Sequence, residues 1–214
     1  ESEKIEDGAI EPLLVKIKDA WDFEMPADDR FLRKGIQYYL AILKIAKSHR
    51  FDAVSLKDVD GMKKILHFPP ALIFMLLSDE AGLCTIPEND VMGAVTQIIV
   101  KHLTGQCGAY FEFYEFFEKS VLMGVPDYVP AEVVEGRVKV TRSAFGGISG
   151  GLLNVSRVKS GRVTLVRLSN TGDRYSLHMV TGTAKPRAWE EAGWEQPAPQ
   201  LPSFEITLDK PVEE

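Results

Sequence analysis

The hydrophobic periodicity of this chain changes once, near residues 105–125, and that change restricts the folds open to it. Ahead of it, Ile36, Tyr39, Leu40, Leu43 and Ala46 recur at intervals of three and four behind Asp28 and Asp29, which predicts a capped amphipathic helix over 28–49. Residues 51–56 read as a short strand. Pro69 and Pro70 open the apolar run 71–77, which predicts a buried helix. Residues 82–86 read as the next strand. Residues 89–103 read as a helix with Val91, Val95, Ile98, Ile99 and Leu103 on one face. Strands alternating with helices predict an α/β layer architecture with an open, partly parallel sheet.

Beyond Gly105 the pattern is strand, turn, strand. Residues 110–116 are rich in aromatics, and 121–123, 137–141, 162–168, 175–180 and 203–208 are short apolar or alternating runs. Asn170, Thr171, Gly172 and Asp173 lie between two of them as a hairpin signal. Residues 184–202 carry Pro186, Trp189, Trp194, Pro197, Pro199 and Pro202 and read as a loop. The expected organisation is thus an α/β unit over 1–106, followed by a β-rich antiparallel sandwich or partial barrel over 107–214, incomplete at its end.

Composition narrows the partners. A net charge of −6 argues against nucleic acid or an anionic membrane as the main ligand. The apolar run 71–77 is too short to span a bilayer. Two cysteines, Cys84 and Cys107, cannot build a disulfide framework, and no secretory leader pattern opens the chain. A reducing, cytoplasmic setting is expected. Residues 145–151 lack the Lys-Ser/Thr ending of a P-loop and read as a turn, and His49, His67, His102 and His178 show no metal-ligand spacing.

The carboxylates carry more chemistry. Pro87-Glu88-Asn89-Asp90 stands where a strand ends and a helix opens, the place where open α/β sheets bind ligands. Acidic residues also favour a helix N-terminus for electrostatic reasons alone. Glu112 lies in the aromatic run, on the face of Tyr110 and Tyr114, with Glu115 on the other face. A wet position on an edge strand would equally accommodate it. A helix of about 15 residues runs out about 22 Å. A strand returning at about 3.3 Å per residue then brings Glu112 back toward Glu88. Two carboxylates across one cleft can hold a hard divalent cation or perform acid–base work.

The stretch Cys84-Thr85-Ile86-Pro87-Glu88-Asn89-Asp90-Val91-Met92-Gly93-Ala94-Val95-Thr96, followed by Leu103-Thr104-Gly105, resembles the L-fucose/L-arabinose isomerase family. Further patches match in order: Ala53-Val54-Ser55-Leu56-Lys57, Val121-Leu122-Met123-Gly124, and the Lys-x-Gly-x-Val-Thr-Leu-like run from Lys159 to Leu168. Together they span about residues 30–185. The resemblance implies a metal-dependent aldose–ketose isomerase working through a cis-enediol, with Mn(II) or another divalent cation held by Glu88 and Glu112. These two residues are accordingly the expected catalytic and metal-binding residues. It also implies a monosaccharide ligand and a homo-oligomer. Two departures set a rival expectation, a non-catalytic sugar-binding or oligomerisation member. Val125 stands where catalytic relatives commonly carry histidine, and a second metal-binding histidine would fall beyond Glu214. The expected chain is therefore the later half of a longer protein, inactive by itself, with metal binding weak or absent.

Overall fold

The computed structural model describes residues 2–26, 28–125, 128–143, 151–187 and 203–211. Among the described residues, four α-helices, α1 (Asp7–Ala20), α2 (Asp29–His49), α3 (Ala71–Asp79) and α4 (Val91–Thr104), combine with ten strands. A two-stranded parallel sheet joins β2 (Ala53–Ser55) to β3 (Cys84–Ile86). A three-stranded sheet joins β1 (Asp22–Phe23), β6 (Lys139–Ser143) and β7 (Gly151–Asn154), with β1 parallel to β6. A curled antiparallel half-barrel runs in the order β4 (Glu112–Phe116), β5 (Ser120–Gly124), β10 (Ser203–Leu208), β9 (Tyr175–Arg187), β8 (Gly161–Asn170). The fold class is thus the one the two periodicities imply: a small parallel sheet with helices, then a partial barrel. None of the described helices is long and apolar enough to cross a membrane.

Local chemistry accounts for the long helices. The Asp28 carboxylate caps α2 by accepting from the Arg30 N–H at 2.9 Å, and α2 ends where Arg50 turns left-handed. Its buried face (Leu32, Gly35, Ile36, Tyr39) lies on α3. A β-carbon at Gly35 would collide with Leu72, so the missing side chain allows the two helices to approach closely. Helix α3 is buried on every side from Ala71 to Leu77 and forms the centre of the larger core. That core also takes in Val125, Tyr128, Val129, Val134, Val138, Val140 and Leu152, so residues from both sides of position 106 build it. A smaller core of Val121, Met123, Val158, Ala184, Phe204 and Ile206 fills the half-barrel.

Three sequence expectations need correction. The apolar stripe of α4 is not its buried face: Val91 is 61% exposed and Leu103 77% exposed, whereas Gly93, Ala94, Thr96 and Gln97 are buried. Helix α4 packs against β2, β3 and β8 together, and small residues allow sheets to close on both sides of it. Residues 139–143 belong with β1 and β7, not with the half-barrel. Residues 184–187 extend β9 rather than opening a loop, and Pro186 sits opposite Phe204 of β10. Pairing with β8 stops at Ala184, so Pro186 needs no donor on that side. The hairpin at 170–173 joins β8 to β9 with Gly172 at positive φ. Residues 144–150 and 188–202 lie outside the described residues, and with them most of the glycine run and the tryptophan loop.

Candidate functional site at the C-terminal end of the parallel sheet

Strands β2 and β3 end side by side, and the segments leaving them are stitched together. The Ser55 hydroxyl donates to the Ile86 carbonyl at 3.0 Å, and the Asn89 N–H donates to the Leu56 carbonyl at 3.0 Å. The Glu88 N–H donates to Asp58 Oδ1 at 2.7 Å. Glu88 and Asn89 both lie in the left-handed region, at φ 63° and 58°. A non-glycine residue held there costs of order 1–3 kcal/mol and persists only where its surroundings fix it. The Asp58 and Leu56 hydrogen bonds do the fixing, and Asp90 then caps α4 by accepting from the Gly93 N–H at 2.9 Å.

Asp58 opens a π-helical segment, Asp58–Ile65, and is 1% exposed. Its other carboxylate oxygen faces Lys63 Nζ at 3.4 Å, and Lys63 is 5% exposed. A buried ion pair thus lies directly beneath the Glu88 turn.

The second carboxylate arrives on β4, an edge strand. Tyr110 Oη donates to Glu112 Oε1 at 3.2 Å, so the two share a face as strand alternation predicts. Burial pushes the Tyr110 phenol above its ordinary pKa, and the negative charges of Glu112 and Glu88, with Asp90 behind them, push it further. Glu112 thus reaches this phenol by a hydrogen bond, whereas Glu88, on the other side of α4, reaches it through its charge. Opposite them, Arg167 of β8 grips Asp90 with two hydrogen bonds, 2.5 and 3.1 Å. A β-carbon at Gly93 would press on both Asp90 and Arg167, so the glycine leaves room for this pair.

Burial by itself would raise the Asp90 pKa, but the Arg167 hydrogen bond, the Gly93 N–H and the Arg167 charge outweigh it and hold the carboxyl below its ordinary value. A lowered folded-state pKa contributes stability above the unfolded value near 3.8 and loses it as pH falls through the folded value. Arg167→Met is therefore expected to destabilise by about 1 kcal/mol or less at pH 7, as half-exposed ion pairs do. The difference from wild type should shrink as the pH is taken progressively below 3.8, which urea titrations at pH 7 and in acid check.

Glu88 and Glu112 offer the hard oxygen donors a divalent cation takes, but two carboxylates supply only part of a coordination shell. Among the described residues no group of three or more His, Cys, Asp and Glu converges as a metal cage would. The residues present fit a cation in donor type and fall short in number. Val125, at the position where histidine is expected, is fully buried in the larger core.

Sequence reasoning singled out the two glutamates and did not point to Asp58, Lys63 or Arg167. The available signal for Asp58 was its place just after β2, matching the place of Glu88 just after the neighbouring parallel strand. No comparable local signal marks Arg167, whose partner is 77 residues away. Compared with known proteins, the chain matches no family model and no curated sequence.

Proposed function

We propose that this chain carries the carboxylate site of a sugar isomerase-like protein, one that interconverts aldose and ketose forms of a monosaccharide. The observation that supports the reading is the place of Glu88 at the C-terminal end of a parallel sheet, together with the Tyr110–Glu112 hydrogen bond on a phenol that the Glu88 charge also raises. Glu88 and Glu112 would hold the divalent cation. When bound, such a cation polarises the carbonyl and hydroxyl oxygens between which a proton moves. Tyr110, whose phenol stays protonated, keeps its proton at Oη directed to Glu112. Asp58 fixes the turn that presents Glu88, and Arg167 fixes Asp90 at the start of α4.

Titration of the chain with Mn(II), followed by electron paramagnetic resonance, tests this directly. One weak site is expected, with a dissociation constant on the order of 10⁻⁴ to 10⁻³ M, the range of sites with few charged ligands. Glu88→Gln or Glu112→Gln should each weaken it at least about tenfold. Identical titrations for wild type and both variants would remove the shared-site reading. The enzymatic claim is tested separately, by ketose formation from a panel of aldoses with manganese and the full-length protein. A non-catalytic sugar-binding member is the second reading, favoured by buried, apolar Val125. It predicts monosaccharide binding without turnover.

A further inference from the structure

At the opposite end of the parallel sheet, the chain's two cysteines meet. Cys84 is the first residue of β3 and fully buried, while Cys107 lies half-buried in the segment between α4 and β4. Both are free thiols, and their sulfurs are 3.9 Å apart. The Gly82 carbonyl lies 3.8 Å from Cys107 Sγ and also accepts from Lys101 Nζ. A cavity of about 160 Å³ lined by Gly82, Cys84, Lys101 and His102, among others, opens beside the pair.

We propose that Cys84 and Cys107 form a peroxide-responsive pair that closes into an intramolecular disulfide, fastening the 105–111 segment to β3. A disulfide requires the sulfurs to approach to about 2.05 Å. The segment has the freedom for that movement, since Gly105 ends α4 at φ 79° and Gly108 follows. Burial, with the neighbouring Cys107 second, pushes the Cys84 thiol up to about 12, so the more accessible Cys107 is the sulfur that meets the oxidant. Cys107 thiolate attacks one peroxide oxygen; the S–O bond forms, the O–O bond breaks and hydroxide leaves. The Cys84 sulfur then attacks Cys107, the S–S bond forms, and the hydroxyl departs as water with the Cys84 proton. Overall the two thiols lose two electrons and two protons, and hydrogen peroxide becomes two waters. The fastened segment leads through Tyr110 into β4, yet the proposal stands independently of any isomerase activity.

The test exposes the native chain to equimolar hydrogen peroxide, quenches with an alkylating agent, and counts thiols on the monomer. Both thiols should disappear, return with dithiothreitol, and map to one cross-linked peptide containing Cys84 and Cys107. The melting temperature should rise on the order of 10 °C, as closing a loop of this size predicts. Cys107→Ser, at a half-buried position, should abolish both the cross-link and the shift. Linked dimers as the main product, sulfinic acid on Cys107 beside a free Cys84, or survival of both thiols would each overturn the proposal.

Discussion

Asp58→Ala is expected to destabilise the protein by about 3–5 kcal/mol, the usual cost of removing one partner from a buried ion pair. Lys63, 5% exposed, would lose the carboxylate it faces at 3.4 Å. The Glu88 N–H would lose its acceptor at the same time, and the left-handed turn its principal restraint. Asp58→Asn separates the two effects. An amide oxygen can still accept from Glu88 but cannot neutralise Lys63, so the asparagine variant should be unstable with its Glu88 turn largely kept. Urea unfolding measures the first effect, and amide exchange at Glu88 the second. Equal protection of that amide in wild type and Asp58→Ala would mean that the turn is held by something else.

The second large effect belongs to the core. Phe74 is fully buried, and its ring stacks on Tyr128 with centroids 4.9 Å apart. Phe74→Ala should cost about 3–5 kcal/mol through lost burial and the cavity left behind. That is a large share of the 5–15 kcal/mol that holds a typical domain. Tyr128 also gives its hydroxyl proton to the Thr85 carbonyl, while its oxygen lies 2.7 Å from the Thr85 hydroxyl. Loss of the stacked ring thus loosens the middle of β3, two residues ahead of Pro87. An unchanged denaturation slope with a lowered midpoint would identify a pure stability effect. A loss below about 1 kcal/mol would show that neighbouring side chains collapse into the space.

Features written into adjacent residues were legible before the fold was known. Helix α2 announces itself by its spacing and its Asp28 cap, α3 by seven consecutive apolar residues, and the β8–β9 turn by Asn170 and Gly172. Glu88 could be found because it follows an apolar strand and precedes a helix. The buried face of α4 could not be found from apolar spacing, because the space between two sheets admits Gly93 and Ala94 more readily than Val91. Strand β1 was invisible for another reason. It is two residues long, and its pairing of Asp22 with Lys139 depends on chain more than a hundred residues away. Asp58 and Lys63 carry no local mark that the fold will enclose them.

That distant pairing has a consequence for how the chain assembles in time. The contacts of α2 with α3, and of β2 and β3 with each other and with α4, all close within residues 29–104, and such near-neighbour contacts form early because little chain entropy is lost in closing them. Strand β6 is synthesised more than a hundred residues after β1, so the β1–β6 ladder cannot close until that intervening chain has been made. Until then the apolar side of α1, with Ile10, Leu14 and Ile17, must rely on the helices that follow it for cover.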